Sequence, residues 1–441
     1  MTGLDARFRE RLGALEAALG RPARQVVAFS GGLDSTVLLR LLVTTAGPGT
    51  EVAAVHVDHQ LHPDSRTWAE QAVRGAARLG VDCRVLSVTP DTGAGRGVEA
   101  AAREARYAAL AGCLTSGDWL LSGHHQDDQV ETLLLNLLRG SGPDGLAAMP
   151  ESRPFAGGWL VRPLLAVSRA ELAEYATEAR LEWIEDPSNA ERGYDRNFLR
   201  HEVLPVIGKR WPDAGVRMER SIERLKEASE LLAALGRADL DSAAGSGVVD
   251  TACLAGLSAP RQRNALRVAI REAGLPLPSR DVLEALRTDL VSARDDAMPL
   301  VAWPGGEARR FRARLYLMPP LPPAPSASLP IDGDRLSLPA GLGELRLEPG
   351  ADRGIDPALV EAGLTVRWRV GGERLKPGAD RPTRTLKKLL QEASTLPWMR
   401  DRLPLLYVGD RLVAVADRFL AEDASASPGV RVRWLGHPPV K

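Results

Sequence analysis

Along the first half of the chain, short apolar runs alternate with longer stretches of helical period. The apolar runs are Gln25–Phe29, Glu51–His59, Cys83–Val88 and Trp119–Leu121. The helical stretches are Ala6–Leu19, Thr36–Val43, Asp64–Leu79, Val98–Leu114 and Leu133–Leu138. Such alternation predicts βαβ units and a parallel, Rossmann-like sheet, with ligands at the carboxyl ends of its strands. Thr89–Gly97 and Arg139–Pro150 read as Gly-rich and Gly/Pro loops, and Ser168 caps a helix running to Tyr175. Leu181–Asn189 is extended and then turns, and Asp195–His201 begins another helix.

The pattern changes after residue 212. Arg217–Arg237 is a long charged helix with Met218, Ile222, Leu225 and Leu232 on one side. Arg261–Ala273 and Arg280–Leu290 read as helices, and Arg309–Met318 as a strand. Pro319–Pro330 is Pro-rich and reads as a linker. Beyond it, Arg335–Leu338, Leu345–Leu347, Thr365–Val370, Leu405–Val408 and Leu412–Ala416 predict strands, interrupted by one helix at Thr385–Glu392. The expected fold class is α/β. A parallel-sheet domain covers 1–212, a mainly helical middle domain 213–318, a linker 319–330 and a small α+β domain 331–441.

The chain's 441 residues allow about two to four domains. Lys plus Arg equals Asp plus Glu, at 57 each, so no global basic character marks a nucleic-acid binder. A local patch remains open. From Arg367 to Arg402, ten basic residues face four acidic ones, with Trp368 and Trp398 close by. That suits RNA; a solvated helix face beside core tryptophans is the plainer reading. The three cysteines, Cys83, Cys113 and Cys253, form no CxxC pair, which weakens metal and redox readings. No signal-like start and no stretch of about 18 apolar residues is visible, so a soluble cytoplasmic protein without membrane contact is expected.

The candidate chemistry centres on Ser30-Gly31-Gly32-Leu33-Asp34-Ser35, between the first strand and its helix. Glycines let the backbone turn sharply and approach a ligand. The free N–H groups of the following helix favour an anion. No Lys follows, so this is not the usual triphosphate loop. Instead Asp34 puts a carboxylate in the anion cradle, which makes sense if Mg²⁺ bridges it to phosphates. His56 and Asp58 sit at the next strand's carboxyl end. His56, Asp58, His59 and His62 could be read as a metal cluster, but pocket-lining polar residues fit better; His124, His125, Asp127 and Asp128 resemble another, but carboxylates that hold Mg²⁺ or a substrate ammonium fit better than a zinc site. Asp128 and Glu131, three apart, share a helix face, and either Mg²⁺ or a substrate ammonium suits them. Glu99, Arg103, Arg106 and Tyr107 include several on one face of the 98–114 helix, with a solvated salt-bridged face as the competing reading. Arg196, Arg200 and His201 are candidate phosphate or RNA contacts.

The stretch SGGLDS resembles the signature of the PP-loop ATP pyrophosphatases, which split ATP into AMP and pyrophosphate. Together with HVDHQLHPDS, GHHQDDQVETLLLNLLRGSG, WIEDPSNAERGYDRNFLR and the C-terminal LKKLLQEASTLPWMRDRLPLLYVGDRL, the chain resembles the bacterial tRNA(Ile)-lysidine synthetases. The likeness spans most of 24–210 and about 365–420. One departure is Gln60-Leu61-His62, where the family commonly has Gly-Leu-Arg, so no contact of that Arg carries over to His62. The C-terminal likeness also varies before Pro397-Trp398.

The resemblance implies that the wobble cytidine of a tRNA(Ile) with a CAU anticodon is adenylated at C2. The ε-amine of L-lysine then displaces AMP. It implies ATP and Mg²⁺ as cofactors, with Ser30, Gly31, Gly32, Leu33, Asp34, Ser35 and His56 on ATP, and Mg²⁺ at Asp34 and Asp128. Asp34, Asp58, Arg106, Asp128 and Glu131 are the expected catalytic residues. Arg196, Arg200, His201, Lys387, Lys388, Trp398 and Arg400 are the expected tRNA contacts. A homodimer is allowed. The rivals are another PP-loop tRNA-modifying enzyme, such as a thiolase, and a catalytically silent RNA-binding protein.

Overall fold

The structure is a computed structural model. It describes residues 3–45, 47, 49–90, 98–185, 193, 195–240, 247–291, 294 and 297–440, without the side chains of 98–100. The residues form two compact units, Met1–Leu231 and Leu232–Lys441.

The first unit is built on β1 (Arg24–Ala28), β2 (Glu51–Asp58), β3 (Cys83–Ser87), β4 (Trp119–Leu121), β5 (Ser152–Phe155) and β6 (Gly158–Val161). The sheet order is β3-β2-β1-β4-β6-β5. All neighbours are parallel except the β5–β6 hairpin. The helices of this unit include α1 (Gly3–Leu19), α2 (Leu33–Thr45), α3 (Ser65–Arg78), α4 (Val98–Gly112), α5 (Gln126–Leu138), α6 (Pro143–Leu146), α7 (Arg169–Glu178) and α8 (Asp195–Phe198). Side chains alternate across the sheet. Val27, Ala54, Leu121 and Val161 join the core with residues of α1, α2, α3 and α7. Val26, Val55, Leu120 and Leu160 pack with Leu110 and Tyr107 of α4. Both faces are covered, as a parallel sheet requires. The strand order reverses between β1 and β4, so a crevice opens at their carboxyl ends.

Two local features differ from expectation. The helix expected from Leu133 begins at Gln126, with His125 as its N-cap. The β5–β6 hairpin falls just beyond a stretch read only as loop. Its turn holds Ala156 and Gly157 at φ 49° and 78°, the geometry that tight hairpins need. The loop expected at Thr89–Gly97 and the turn at Asp186–Asn189 lie largely outside the described residues.

In the second unit, the middle segment carries more sheet than expected. Val248–Asp250, Arg314–Met318, Gly306–Phe311 and Leu300–Trp303 form an antiparallel sheet in that order. The single strand expected over Arg309–Met318 is a hairpin that turns at Arg312, φ 55°. The sheet shares a core with the helix Ala259–Glu272 and with Leu283, Leu286 and Leu290. The terminal segment forms two five-stranded sheets around a large core. The Pro-rich stretch is strapped to it: Leu329 pairs with Val366, and Pro322 O accepts from Arg402 Nη2 at 2.6 Å.

Trp398 needs correction. Its ring is buried, edge-on to Tyr316 at 5.3 Å and Phe311 at 6.5 Å, with the Arg309 guanidinium 5.5 Å above it. Trp368 is buried too and donates through Nε1 to Ala327 O. Neither ring is placed to stack on a base. Trp398→Ala is expected to cost roughly 3–5 kcal/mol, read as a lower unfolding midpoint of the full chain. An unchanged midpoint with lost tRNA binding would restore the stacking role.

At the amino end of the sheet, Asp118 is almost fully buried. It accepts from Arg24 Nη2 (2.7 Å), Thr115 N (2.8 Å) and Thr115 Oγ1 (3.0 Å), which pins β4 beside β1. Burial acts to raise its carboxyl, but Arg24 and Thr115 together hold it below the ordinary range. A depressed carboxyl stabilises the fold above its unfolded value, about 3.9, and loses that contribution as pH falls through the folded value. The stability gap between wild type and Asp118→Asn should be full at about pH 7 and should narrow below about pH 4. A gap that does not change with pH would contradict this.

Candidate active site

The Gly-Gly turn after β1 is built from its own hydroxyls. Ser30 Oγ accepts from Gly32 N at 3.2 Å and lies 3.1 Å from Ser35 Oγ, which donates to Gly32 O at 3.0 Å. Thr36 Oγ1 donates to Gly31 O at 3.3 Å. Gly31 has φ 82°, and a Cβ there would lie 2.5 Å from Ile184 Cδ1. Gly31 O accepts from Ile184 N at 2.8 Å, so the turn is locked to the segment after α7. The first turn of α2 follows, with Asp34 in it.

A second helix starts at the same crevice. β4 leads through Gly123 into α5. A Cβ on Gly123 would lie 2.9 Å from the Asp34 carbonyl carbon, so only glycine permits this approach. His125, 1 % exposed, stands between the two helix starts. Its Nε2 is 3.7 Å from Asp34 Oδ2 and 3.5 Å from Asp128 Oδ2, and its Nδ1 is 3.5 Å from Asp127 Oδ2. Asp128 also accepts from His125 N at 3.1 Å, and Asp127 from Arg169 N at 2.8 Å. Burial acts to lower His125, but the surrounding carboxylates outweigh it and raise its pKa. Asp34 is raised chiefly by burial, with Asp128 adding to it and His125 opposing. Its Oδ1 is buried with no hydrogen-bond partner. A buried orphan carboxylate oxygen at two helix N-termini suits a cation that is itself bound to phosphate.

Glu131 is fully buried. Arg200 clamps it with Nε to Oε1 at 2.7 Å and Nη2 to Oε2 at 3.0 Å, and reaches Asp128 Oδ1 at 3.4 Å. Arg196 Nη2 donates to Thr132 Oγ1 at 3.0 Å, with Nε 3.5 Å from Glu131. Arg200 lies in a π-helical turn, Leu199–Val203, directly after α8; such turns recur at functional sites. Burial raises the Glu131 carboxyl, partly offset by Arg200. Its two oxygens both accept from Arg200, which sets that guanidinium beside Asp128.

The other expected residues lie further out. Asp58 is buried at the end of β2, where its Oδ1 accepts from Gln60 N at 2.9 Å. His56 donates from Nδ1 to Phe29 O at 3.0 Å, tying β2 to the end of β1; burial lowers its pKa. His62 stacks on Trp68, with ring centroids 4.7 Å apart. The Arg106 guanidinium is lowered by burial first and by Arg103 and Arg196 next. His201 is exposed, as are Lys387 and Lys388 on the helix Leu386–Glu392. Arg400 donates from Nε to Thr395 O at 3.0 Å. His125, weighed from the sequence only as part of a metal cluster, is an acid-flanked His at a helix start. Among the described residues, no group of three or more His, Cys, Asp or Glu is arranged to hold a metal ion.

Comparison with known proteins fixes the family. A PP-loop domain profile matches residues 4–207, a TilS substrate binding domain 250–316, and a TilS substrate C-terminal domain 364–434. A tRNA(Ile)-lysidine synthase from Alkalilimnicola ehrlichii is 45% identical over 428 residues, 96% of each chain. One from Methylococcus capsulatus is 39% identical over 437 residues, 97% of this chain and 100% of the other. The chain belongs to the tRNA(Ile)-lysidine synthase family. A solved U34-tRNA thiolase from Methanococcus maripaludis is similar at 20% identity and a TM-score of 0.42, covering 51% of this chain and 78% of that one. Within the lysidine synthase family, the β1–β4 crevice belongs to the PP-loop domain and its use of ATP. The two later matches make the second unit the substrate-binding part of this ATP-dependent ligase.

The Glu131–Arg200 clamp is testable. Arg200→Gln strands a buried carboxylate and should destabilise the chain by roughly 3 kcal/mol or more. Arg200→Gln combined with Glu131→Gln should recover much of that loss, read by thermal unfolding. A double variant no more stable than the single one would show that Glu131 is not held by this pair.

Proposed function

We propose that the chain ligates L-lysine to C2 of the wobble cytidine of a tRNA(Ile) with a CAU anticodon. ATP is consumed to AMP and pyrophosphate, through an adenylated cytidine. The observation that carries this reading is Asp34: an acid, with an orphaned buried oxygen, inside a hydroxyl- and N–H-lined turn. The turn Ser30–Ser35 binds the departing pyrophosphate. Asp34 and Asp128 are the oxygen donors that fit Mg²⁺, which would neutralise charge on the triphosphate. His125 holds the two carboxylates in register. Glu131 fixes Arg200 beside them.

Cytosine O2 is a poor leaving group until it becomes a phosphate ester. Arg106, half-buried and without a carboxylate partner among the described residues, is suited to the phosphoryl group of that ester. Free lysine has a pKa of about 10.4, so its amine must lose a proton before attack. Asp58, at the end of β2, orients substrate. The reaction runs in the cytoplasm, where tRNA and ATP are available. Among the described residues, no helix is long and apolar enough to cross a membrane. Residues 331–441, with Lys387 and Lys388 exposed, serve as an RNA platform.

A thiolase is not favoured. Burial pushes the Cys83 thiol up to about 11 and raises Cys113 as well, so neither is a ready thiolate. A silent RNA binder has no use for a cluster of carboxylates with an orphaned buried oxygen.

Mass analysis of the anticodon nucleoside after incubation with ATP, lysine and tRNA should show cytidine converted to lysidine. Asp34→Ala should abolish adenylation at an unchanged unfolding midpoint. An unmodified nucleoside with the wild-type chain, or normal adenylation by Asp34→Ala, would refute the reading.

A further inference from the structure

Four arginines gather near the Tyr107 ring, Arg103 and Arg106 from α4, Arg153 from β5 and Arg162 from the exit of β6. Arg103 Cζ lies 5.1 Å from the Tyr107 centroid, and Arg106 Cζ and Arg153 Cζ lie 5.7 Å from it. Arg153 also covers Phe155 at 5.2 Å. Arg162, directly after β6 and only 3 % exposed, donates from Nη1 to Pro150 O at 2.6 Å. Its Nε is buried and has no partner. Other arginines in this unit sit on carboxylates, as Arg7 does on Glu171, Arg24 on Asp118 and Arg200 on Glu131. Among the described residues none of these four has such a pair. Burial first, then Arg153 and Arg103, lower the Arg162 guanidinium, so the cations crowd one another. Gathering like charges without a counter-ion is unfavourable unless an anion completes the group.

We propose that Arg103 and Arg153, arrayed around Tyr107, bind a backbone phosphodiester of the RNA strand that delivers the reacting base, with the buried Arg162 adding positive charge behind them. The inference rests on the functional reading above and extends it from ATP to the substrate strand. Arginine forks suit phosphate oxygens, and phosphate contacts set position rather than sequence. The neighbouring Arg106 would then meet the reacting nucleotide while Arg103 and Arg153 hold the chain that carries it. The Tyr107 and Phe155 rings keep the guanidiniums spread by cation–π contact.

Arg103→Gln and Arg153→Gln in the full chain test this, because among the described residues neither removes a carboxylate's partner. Each should raise KM for tRNA on the order of tenfold, the loss of about one charge-assisted contact. Each should also make the plot of log affinity against log salt shallower by about 0.7. KM for ATP and the unfolding midpoint should stay put, and Arg153→Lys should restore much of the salt slope. Unchanged tRNA KM and salt slope would overturn the proposal. A rise in KM for ATP alone would put the nucleotide triphosphate there instead, and would overturn it equally. A wild-type chain that makes no lysidine would sink the functional reading itself, whatever the variants do.

Discussion

The site depends on how closely two backbones meet at the switch point of the sheet. Gly123, after β4, leaves no room for a Cβ against Asp34 at the start of α2. That approach sets two helix N-termini side by side and brings Asp34 and Asp128 to one imidazole. Helix N-termini favour anions, and the buried carboxylates pull in the opposite sense. The result is a cavity end whose fields suit a phosphate chain with a cation on it better than either partner alone. Any side chain at residue 123 would separate the strands' ends before it touched the chemistry.

Around that point, charge is arranged in layers. The acids lie nearest the phosphate turn, with His125 raised among them and Asp34 raised by burial. Arg200 and Arg196 stand behind, tied to Glu131 and Thr132. Further out, on the α4 side, the arginines have no acidic partners among the described residues. The gradient from paired to unpaired cations matches a substrate strand that is anionic all along its backbone. His124, pushed down to about 3 by burial and beside this basic layer, stays neutral throughout.

Local chemistry was legible in the sequence where one segment carries it whole. The turn Ser30–Ser35, the strand ends at His56 and Asp58, and the Asp128/Glu131 helix face needed only spacing and period. What was hidden depends on partners distant in sequence. Glu131 reads as a ligand, and only the fold shows that Arg200, 69 residues on, donates to both its oxygens. Arg153 and Arg162 belong to a hairpin and its exit that short runs and an Ala-Gly turn did not announce. Trp398 in a basic stretch reads as an RNA platform, but Tyr316 and Phe311, from the preceding sheet, enclose it. Composition marks a tryptophan's neighbours along the chain, whereas packing decides which face it shows.

The central claim is that an acid-bearing turn holds ATP so that the bond between its α and β phosphates breaks. Phosphorus NMR of the full reaction, with ATP, lysine and tRNA present, reads this directly. The account predicts AMP and pyrophosphate in equal amounts, appearing only when tRNA is supplied. ADP with orthophosphate, or AMP formed without tRNA, would contradict it.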